Sequence, residues 1–364
     1  MFLLPYSYIT IRFLRRKNKV FKGCCTALIT PMKKNFEIDY EGLKKLIEFQ
    51  IDEGVDGILA VGTTGESPTL TWEEHIKVIE KTLEEAGERC EVIAGTGSNS
   101  SKEAIEATKE SYNLGVKTVL LVDPYYNGPS SLEIRKEYLE PIAAKFPEIE
   151  IIPYIIPGRT GTKLLPQDLA ILHKKFKNVN AVKEATGDLE NAKLIRALCG
   201  EYFSILSGDD DKTFLLMSDP KIKANGVISV TSNIAPSAVQ EMVKSLISGD
   251  FEKAEVIAKG LKPLFEIVTV VTQEETEYGQ VSCKARNPLP YKTLMNILGM
   301  PAGPCRPPLG KMTKKAITFL VSKVKEVYEN NPEFLASVEE FFDVDLSERL
   351  YNEKYLDGLF YESY

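Results

Sequence analysis

Residues 179–187 read Val-Asn-Ala-Val-Lys-Glu-Ala-Thr-Gly. This is a short, mostly apolar run, as expected for a strand that is covered on both faces of a parallel sheet. Lys183 stands at its far end. A desolvated lysine shifts toward the neutral amine, which is the nucleophile that condenses with carbonyl compounds. From this stretch alone, a lysine that reaches solvent or pairs with Glu184 is an equally acceptable interpretation.

Short apolar runs alternate with helix-period segments on both sides of this stretch. Strands are predicted at the Lys183 run and at residues 23–32, 56–62, 91–95, 117–123, 150–156, 203–207 and 225–230. Helices are predicted at residues 40–53, 72–86, 101–114, 132–146, 166–176, 188–199, 212–218 and 236–248. Eight such units predict an α/β fold that closes into a (β/α)8 TIM barrel. An open doubly wound sheet is the alternative, but the first strand-helix turn lacks G-x-G-x-x-G.

The chain is divided into four regions. These are an N-terminal extension (1–20), the catalytic barrel (21–249), a C-terminal helical region (250–328) and an acidic aromatic tail (329–364). In the third region, residues 251–271, 291–299 and 314–328 are predicted to be helical, with an acidic loop at 273–278. The aromatic content of the tail favours packing on this chain or on a neighbouring subunit over full solvation, with partial disorder as the alternative.

Composition narrows the class of partner. The 364 residues carry a net charge of -7, so neither nucleic acid nor an anionic membrane is expected, and a small molecule is the default. Six scattered cysteines and two histidines leave little material for a metal site or a Ser-His-Asp triad. We therefore expect no metal, a reducing compartment and a cytoplasmic protein. Residues 1–20 lack acidic side chains, so organelle targeting is a minor alternative to a dispensable extension.

Polar motifs follow the predicted strands, where a barrel places its active site. They are Gly-Thr-Thr-Gly-Glu-Ser (62–67), Pro-Tyr-Tyr-Asn (124–127), Pro-Gly-Arg-Thr-Gly (157–161), Ser-Gly-Asp-Asp (207–210) and Gly-Val-Ile-Ser (226–229). Glycines beside hydroxyls can cradle a carboxylate, and an arginine can bind one through two nitrogens. Taken singly, each motif is equally compatible with a tight turn, a packed tyrosine or a solvated arginine.

Together and in this order, the motifs resemble the dihydrodipicolinate synthases, also called 4-hydroxy-tetrahydrodipicolinate synthases. This family belongs to the Schiff-base pyruvate lyases, which include N-acetylneuraminate lyase. The resemblance covers roughly residues 21–308. It implies condensation of pyruvate with aspartate 4-semialdehyde in lysine and diaminopimelate biosynthesis, with no organic cofactor.

The resemblance also implies residue roles. Lys183 would form the imine, and Tyr154, Thr63 and Tyr126 would relay protons, with Tyr126 reaching in from the partner subunit of a homodimer or homotetramer. The implied substrate-binding residues are Thr64, Arg159, Ile228 and Gly208. Arg159 would bind the carboxylate of the semialdehyde, which favours the synthase over a sugar-acid or oxo-acid aldolase. Ile155 stands where the family commonly has asparagine, a departure that lowers the expected polarity of this loop.

A lysine-binding regulatory site is implied as well. Its residues would be Ser67, Trp72, His75, Asn99, Glu103 and Tyr125. Residues 71–74 and 100–103 both match the S/T-x-x-E capping box, which would begin the second and third helices. Capping and surface polarity are the simpler interpretation of these side chains. A non-catalytic sensor of lysine or pyruvate is the alternative from another functional class.

Overall fold

Eight parallel strands form a closed barrel in the computed structural model, which describes residues 20–364. β8 pairs back onto β1 to close the sheet. The strands are β1 (Gly23–Ala27), β2 (Gly57–Ala60), β3 (Glu91–Gly95), β4 (Thr118–Val122), β5 (Glu150–Ile155), β6 (Ala181–Glu184), β7 (Ser204–Ser207) and β8 (Gly226–Ser229). The predicted (β/α)8 barrel is confirmed. The predicted extension lies outside the described residues apart from Val20.

Helices surround the barrel. They are Tyr40–Asp52, Trp72–Ala86, Ser101–Asn113, Pro166–Lys175, Leu189–Cys199, Thr213–Ser218 and Pro236–Ser248, together with a helix that runs from Ser131–Glu133 through a π-helical segment, Ile134–Leu139, into Glu140–Lys145. Each falls within a few residues of its predicted bounds. The barrel core is formed by the apolar side chains of the strands and the inner faces of these helices.

The two predicted capping boxes differ. The Thr71 hydroxyl accepts a hydrogen bond from the Glu74 N–H at 3.2 Å, and the Glu74 carboxylate accepts one from the Thr71 N–H at 3.0 Å, so the first box is complete. The Ser100 hydroxyl accepts from the Glu103 N–H at 3.4 Å. The Glu103 carboxylate, however, accepts from the Ser98 hydroxyl. The second prediction was therefore wrong in part, because a nearer hydroxyl competes for the carboxylate.

A β-hairpin in the C-terminal region was missed by sequence reasoning. The helix that begins at Phe251 ends at Glu266, and β9 (Thr269–Thr276) pairs antiparallel with β10 (Gly279–Arg286). The predicted helix 251–271 was wrong at its end, and the predicted acidic loop 273–278 was wrong because most of it is strand. Residues 267–272 are all β-branched. Such side chains lose rotamer freedom in a helix and favour strands.

The aromatic tail packs on the barrel of its own chain. After the helices Leu289–Leu298 and Lys314–Asn330 come two short ones, Ala336–Phe342 and Leu346–Tyr351. The rings of Phe341 and Phe342 lie 5.3 and 5.2 Å from the ring of Phe49. Phe49 belongs to the first barrel helix, so the tail covers apolar surface of that helix. No helix in residues 20–364 combines the length and the apolarity needed to cross a bilayer.

Candidate active site

Lys183 is buried at the carboxyl end of β6. Only 4% of Lys183 is exposed, so its side chain does not extend into solvent. Glu184 faces the other way, because its carboxylate accepts hydrogen bonds from the Thr186 N–H at 3.2 Å and from the Asn191 amide at 3.1 Å. Burial lowers the pKa of Lys183 to about 8, although Cys25 and other neighbours act to raise it. An appreciable fraction of the amine is therefore neutral and nucleophilic near neutral pH.

Tyr154 lies beside Lys183 in the strand ladder. The two residues face each other across β5 and β6, and the Lys183 Nζ is 4.3 Å from the centre of the Tyr154 ring. Burial raises the pKa of Tyr154 well above its usual range, while nearby Arg159 and a hydrogen bond with the Thr63 side chain act to lower it. The phenol is therefore protonated at neutral pH. A protonated phenol that is hydrogen-bonded to a second hydroxyl, here that of Thr63, can pass a proton to or from a bound molecule.

The loop after β2 carries Thr63 and Thr64 to the barrel mouth. It begins with an unusual backbone conformation, since Val61 has a φ of 49°. Such an angle is an outlier for a β-branched residue and marks a conformation that the surrounding structure imposes. The Thr30 hydroxyl donates to the Gly65 carbonyl at 2.8 Å and holds the loop on its other side. The loop is thus held both before Thr63 and after Thr64.

Asn287 connects Thr64 to Arg159. Its side-chain amide donates to the Thr64 hydroxyl oxygen at 3.0 Å, and its backbone carbonyl accepts from the Arg159 Nη2 at 2.8 Å. The side-chain oxygen of Asn287 is buried and has no partner among residues 20–364. One residue therefore positions both groups that were expected to bind carboxylates.

Arg159 lies in a single helical turn, Pro157–Thr160, after β5. Burial lowers its pKa, and the neighbouring Arg286 acts in the same direction, while Tyr154 and Asp209 oppose it. A guanidinium keeps its charge in proteins, so Arg159 offers a cation to an anionic ligand.

A cavity of about 220 Å³ lies beside these groups, and its lining includes neither Lys183 nor Thr64. Thr63, Tyr154 and Arg159 line it, together with Ser67 and Tyr125. Its lining combines apolar side chains with a few polar groups, which is typical of small-molecule sites. Ile155 does not line it, because that side chain is fully buried in β5 opposite Glu184. The replacement of asparagine by isoleucine thus falls in the packed layer outside the cavity.

Gly208 lies beside the Lys183 side chain. A Cβ on Gly208 would lie 3.1 Å from the Lys183 Cε and 2.7 Å from the Ala185 Cβ. Only glycine leaves room there for the lysine side chain. Ile228 is fully buried in β8 and pairs with Cys25 of β1.

Tyr126 does not join the cavity of its own chain. It is 93% exposed and has a φ of 77°. The neighbouring Tyr125 points inward instead, and its N–H donates to the Asn99 side-chain oxygen at 2.7 Å.

Two of the side chains expected to bind lysine, those of Trp72 and His75, lie in the first turn of the second barrel helix. The Trp72 and His75 rings lie 4.9 Å apart, and the His75 Nε2 contacts the Gly95 carbonyl at 2.6 Å. Since a carbonyl only accepts, Nε2 carries the proton. Burial lowers the pKa of His75 to about 4, so the ring is neutral at neutral pH. Ser67 and Tyr125, which belong to the same expected group, line the cavity described above.

Comparison with known proteins identifies the family. The family model described as "Dihydrodipicolinate synthetase family" matches residues 20–327. The chain belongs to the dihydrodipicolinate synthetase family. It is 39% identical to 4-hydroxy-tetrahydrodipicolinate synthase of Methanocaldococcus jannaschii, over 85% of this chain and 99% of that protein.

Two solved structures similar to this chain contain bound small molecules. The Cyanidioschyzon merolae enzyme with lysine bound has a TM-score of 0.77 and 36% identity, over 84% of this chain and 98% of that one. The chloride-inhibited Acinetobacter baumannii enzyme complexed with pyruvate has a TM-score of 0.75 and 36% identity, with the same coverage.

Sequence reasoning missed several residues of this family member's site. Asn287 is separated from Arg159 by 128 positions, and Lys292 pairs with Glu66 across 226 positions. Asp209 was seen only as part of a motif, yet burial raises its pKa to about 6 while Lys183 acts to lower it. The Asn287–Pro288–Leu289–Pro290 run was a visible signal of a rigid segment, but nothing in it indicated where the segment docks.

Proposed function

We propose that the protein condenses pyruvate with aspartate 4-semialdehyde to give 4-hydroxy-tetrahydrodipicolinate, in lysine and diaminopimelate biosynthesis. The observation that supports this most strongly is a buried lysine with a lowered pKa, beside a protonated tyrosine and an arginine without a carboxylate partner among residues 20–364. The M. jannaschii relative, which this chain matches over 99% of its length, is named for this activity.

Imine formation is the first step. The neutral Lys183 amine attacks the C2 carbonyl of pyruvate, and the carbonyl oxygen leaves as water after two protonations. Thr64 and the N–H groups of its loop hold the pyruvate carboxylate. Tyr154, through Thr63, supplies and recovers the protons. The protonated imine then withdraws electrons from C3, which loses a proton and becomes an enamine carbon.

Carbon–carbon bond formation follows. The enamine carbon attacks the aldehyde carbon of the second substrate, and the aldehyde oxygen takes a proton from Tyr154 to become the hydroxyl of the product. The amino group of the semialdehyde then attacks the imine carbon and displaces Lys183 as the free amine. The ring closes, one water has been lost overall, and the enzyme is regenerated.

Arg159 is the residue that selects the aspartate-derived aldehyde. Its guanidinium lies in the cavity wall and is held by the Asn287 carbonyl. A bidentate guanidinium–carboxylate pair in a buried site discriminates strongly against aldehydes that lack the carboxylate. We expect Arg159→Ala to lose semialdehyde turnover selectively while pyruvate still forms the imine. Equal turnover in the variant and the wild type would favour the alternative of another pyruvate aldolase, which assays with sugar-acid aldehydes would identify.

Lysine is the proposed feedback inhibitor. The C. merolae structure has lysine bound, and two residues of the group expected to bind lysine here, Ser67 and Tyr125, line the same cavity as Tyr154 and Arg159. We expect millimolar lysine to slow the steady-state rate, and Trp72→Ala to weaken this inhibition without abolishing turnover. No effect of lysine at that concentration would remove the regulatory proposal. Turnover no higher than that of a Lys183→Ala control would favour the non-catalytic sensor.

A dimer completes the proposed site. Tyr126 is almost fully exposed in the single chain, which is the arrangement expected of a side chain that enters the cavity of a partner. Sedimentation analysis should show a dimer or a tetramer, and Tyr126→Phe should lower kcat without changing that state. A fully active monomer would contradict the role given to Tyr126.

A further inference from the structure

A second guanidinium lies beside Arg159 at the mouth of the barrel. Arg286 is the last residue of β10, and its Nη1 donates to the Gly158 carbonyl at 2.9 Å. Gly158 directly precedes Arg159 in the turn after β5. Arg159 in turn donates from Nη2 to the carbonyl of Asn287, which directly follows Arg286. Each arginine is therefore held by the backbone of the segment that carries the other.

No carboxylate pairs directly with either cation in residues 20–364, although burial lowers the pKa of Arg159 and Asp209 lies near enough to oppose this effect. Elsewhere in this chain, Arg135 and Arg306 form ion pairs with carboxylates, whereas in residues 20–364 neither Arg159 nor Arg286 has a carboxylate at ion-pair distance. Arg286 acts to lower the pKa of Arg159, so the two charges repel each other. Close like charges in a partly buried site are unfavourable unless an anion binds between or beside them.

We propose that Arg286 is a specificity-determining residue that binds, together with Arg159, the carboxylate of the second substrate. This inference rests on the function proposed above and deepens it. The hairpin formed by β9 and β10 is then part of the substrate site, because it delivers the second guanidinium. Two guanidinium groups around one carboxylate provide more hydrogen bonds and more positive charge than that of Arg159 alone.

Pyruvate does not depend on Arg286 in this arrangement. Its carboxylate is held at the loop of Thr64, whose hydroxyl is tied to Asn287. Its carbonyl carbon is bound by Lys183. Loss of the Arg286 charge should therefore affect binding of the semialdehyde and leave imine formation intact. A simple role in holding the turn Pro157–Thr160 would disturb both, since Arg159 lies in that turn and Tyr154 lies in β5 just before it.

The test compares three variants. Arg286→Gln removes the charge and keeps a hydrogen-bond donor. Arg286→Lys keeps the charge but loses the paired N–H donors of the guanidinium. Lys284→Ala removes an exposed cation two residues away on the same strand. We expect Arg286→Gln to raise the KM for aspartate semialdehyde about ten- to thirtyfold. Arg286→Lys should fall between this variant and the wild type. Lys284→Ala should match the wild type within about twofold.

Two further measurements distinguish charge from loop support. The KM for pyruvate and the borohydride-trapped adduct on Lys183 should stay within about twofold of wild type in Arg286→Gln. Added potassium chloride should lower kcat/KM for the semialdehyde more steeply in the wild type than in this variant, because salt screens the second cation.

The outcomes separate the two proposals. A wild type that does not consume the semialdehyde overturns the proposed function, and this inference with it. An active wild type with an unchanged semialdehyde KM in Arg286→Gln overturns only the inference. An equal rise in both KM values with an unchanged salt response assigns Arg286 to holding the turn and contradicts substrate binding.

Discussion

The buried ion pair between Glu66 and Lys292 should be essential for stability and for the catalytic loop. Both side chains are 1% exposed, and the Lys292 Nζ lies 2.6 Å from the Glu66 Oε1. The ammonium also donates to the carbonyls of Thr30 at 3.0 Å and Pro304 at 2.8 Å. The second oxygen of Glu66 accepts from the Arg306 N–H at 2.8 Å. All three ammonium protons of Lys292 thus have acceptors. These bonds hold Glu66 in place, and Glu66 comes two residues after Thr64 in the loop.

Lys292→Met removes the ammonium and leaves the carboxylate buried with a single remaining N–H donor. Breaking one side of a buried pair costs roughly 3–5 kcal/mol, since an uncompensated charge remains. We expect urea unfolding, followed by circular dichroism, to show a loss of unfolding free energy in this range. The KM for pyruvate should also rise, because Glu66 no longer anchors the loop of Thr64.

Two variants make this test specific. Lys262→Met removes an exposed lysine whose Nζ is 3.9 Å from Glu266, and such a pair contributes at most about 0.5 kcal/mol. The double variant Glu66→Gln/Lys292→Met removes both charges and should be less destabilised than the sum of the single changes. Stability of Lys292→Met within about 1 kcal/mol of the Lys262→Met control would refute this reasoning.

Three further results are expected. Because the pKa of Lys183 is lowered to about 8, the rate of adduct formation with pyruvate should rise with pH and reach half its maximum near pH 8; a midpoint near the ordinary lysine value would contradict the burial effect. Tyr154→Phe should lower kcat by roughly 10²–10⁴ while borohydride still traps the adduct, and unchanged kcat would remove the proton relay. Phe341→Ala should reduce the unfolding free energy by about 1–2 kcal/mol, and an unaltered urea midpoint would show that the tail adds nothing to the barrel.

The barrel was predictable from the sequence because its signal is local. Each strand is buried on both faces and reads as a continuous apolar run, and each amphipathic helix follows within a few residues. Trp72–Ala86 and Pro236–Ser248 begin and end where the pattern predicts. The hairpin was missed because its apolar start continues the hydrophobic pattern of the preceding helix. Only the unbroken β-branched run at 267–272 distinguishes the two.

The candidate site was predictable in its inner part and not at its edges. Lys183 and Tyr154 lie near the carboxyl ends of barrel strands and Thr63 follows one, so topology alone brings them together. Asn287 and Arg286 come from the C-terminal region, and their positions depend on how that region packs. No spacing rule gives such a contact, since it arises from tertiary packing between distant segments. Tyr126 is 93% exposed in the single chain, so its proposed role likewise depends on an assembly that one chain does not specify.

The most direct test of the central claim is borohydride trapping with pyruvate. The wild-type protein is incubated with pyruvate, reduced, digested and analysed by mass spectrometry, with Lys183→Ala as the matched control. We expect one reduced pyruvyl group on the peptide that contains Lys183, and none in the control. An unmodified Lys183 in the wild type, or a pyruvyl group on another lysine, would contradict the imine mechanism.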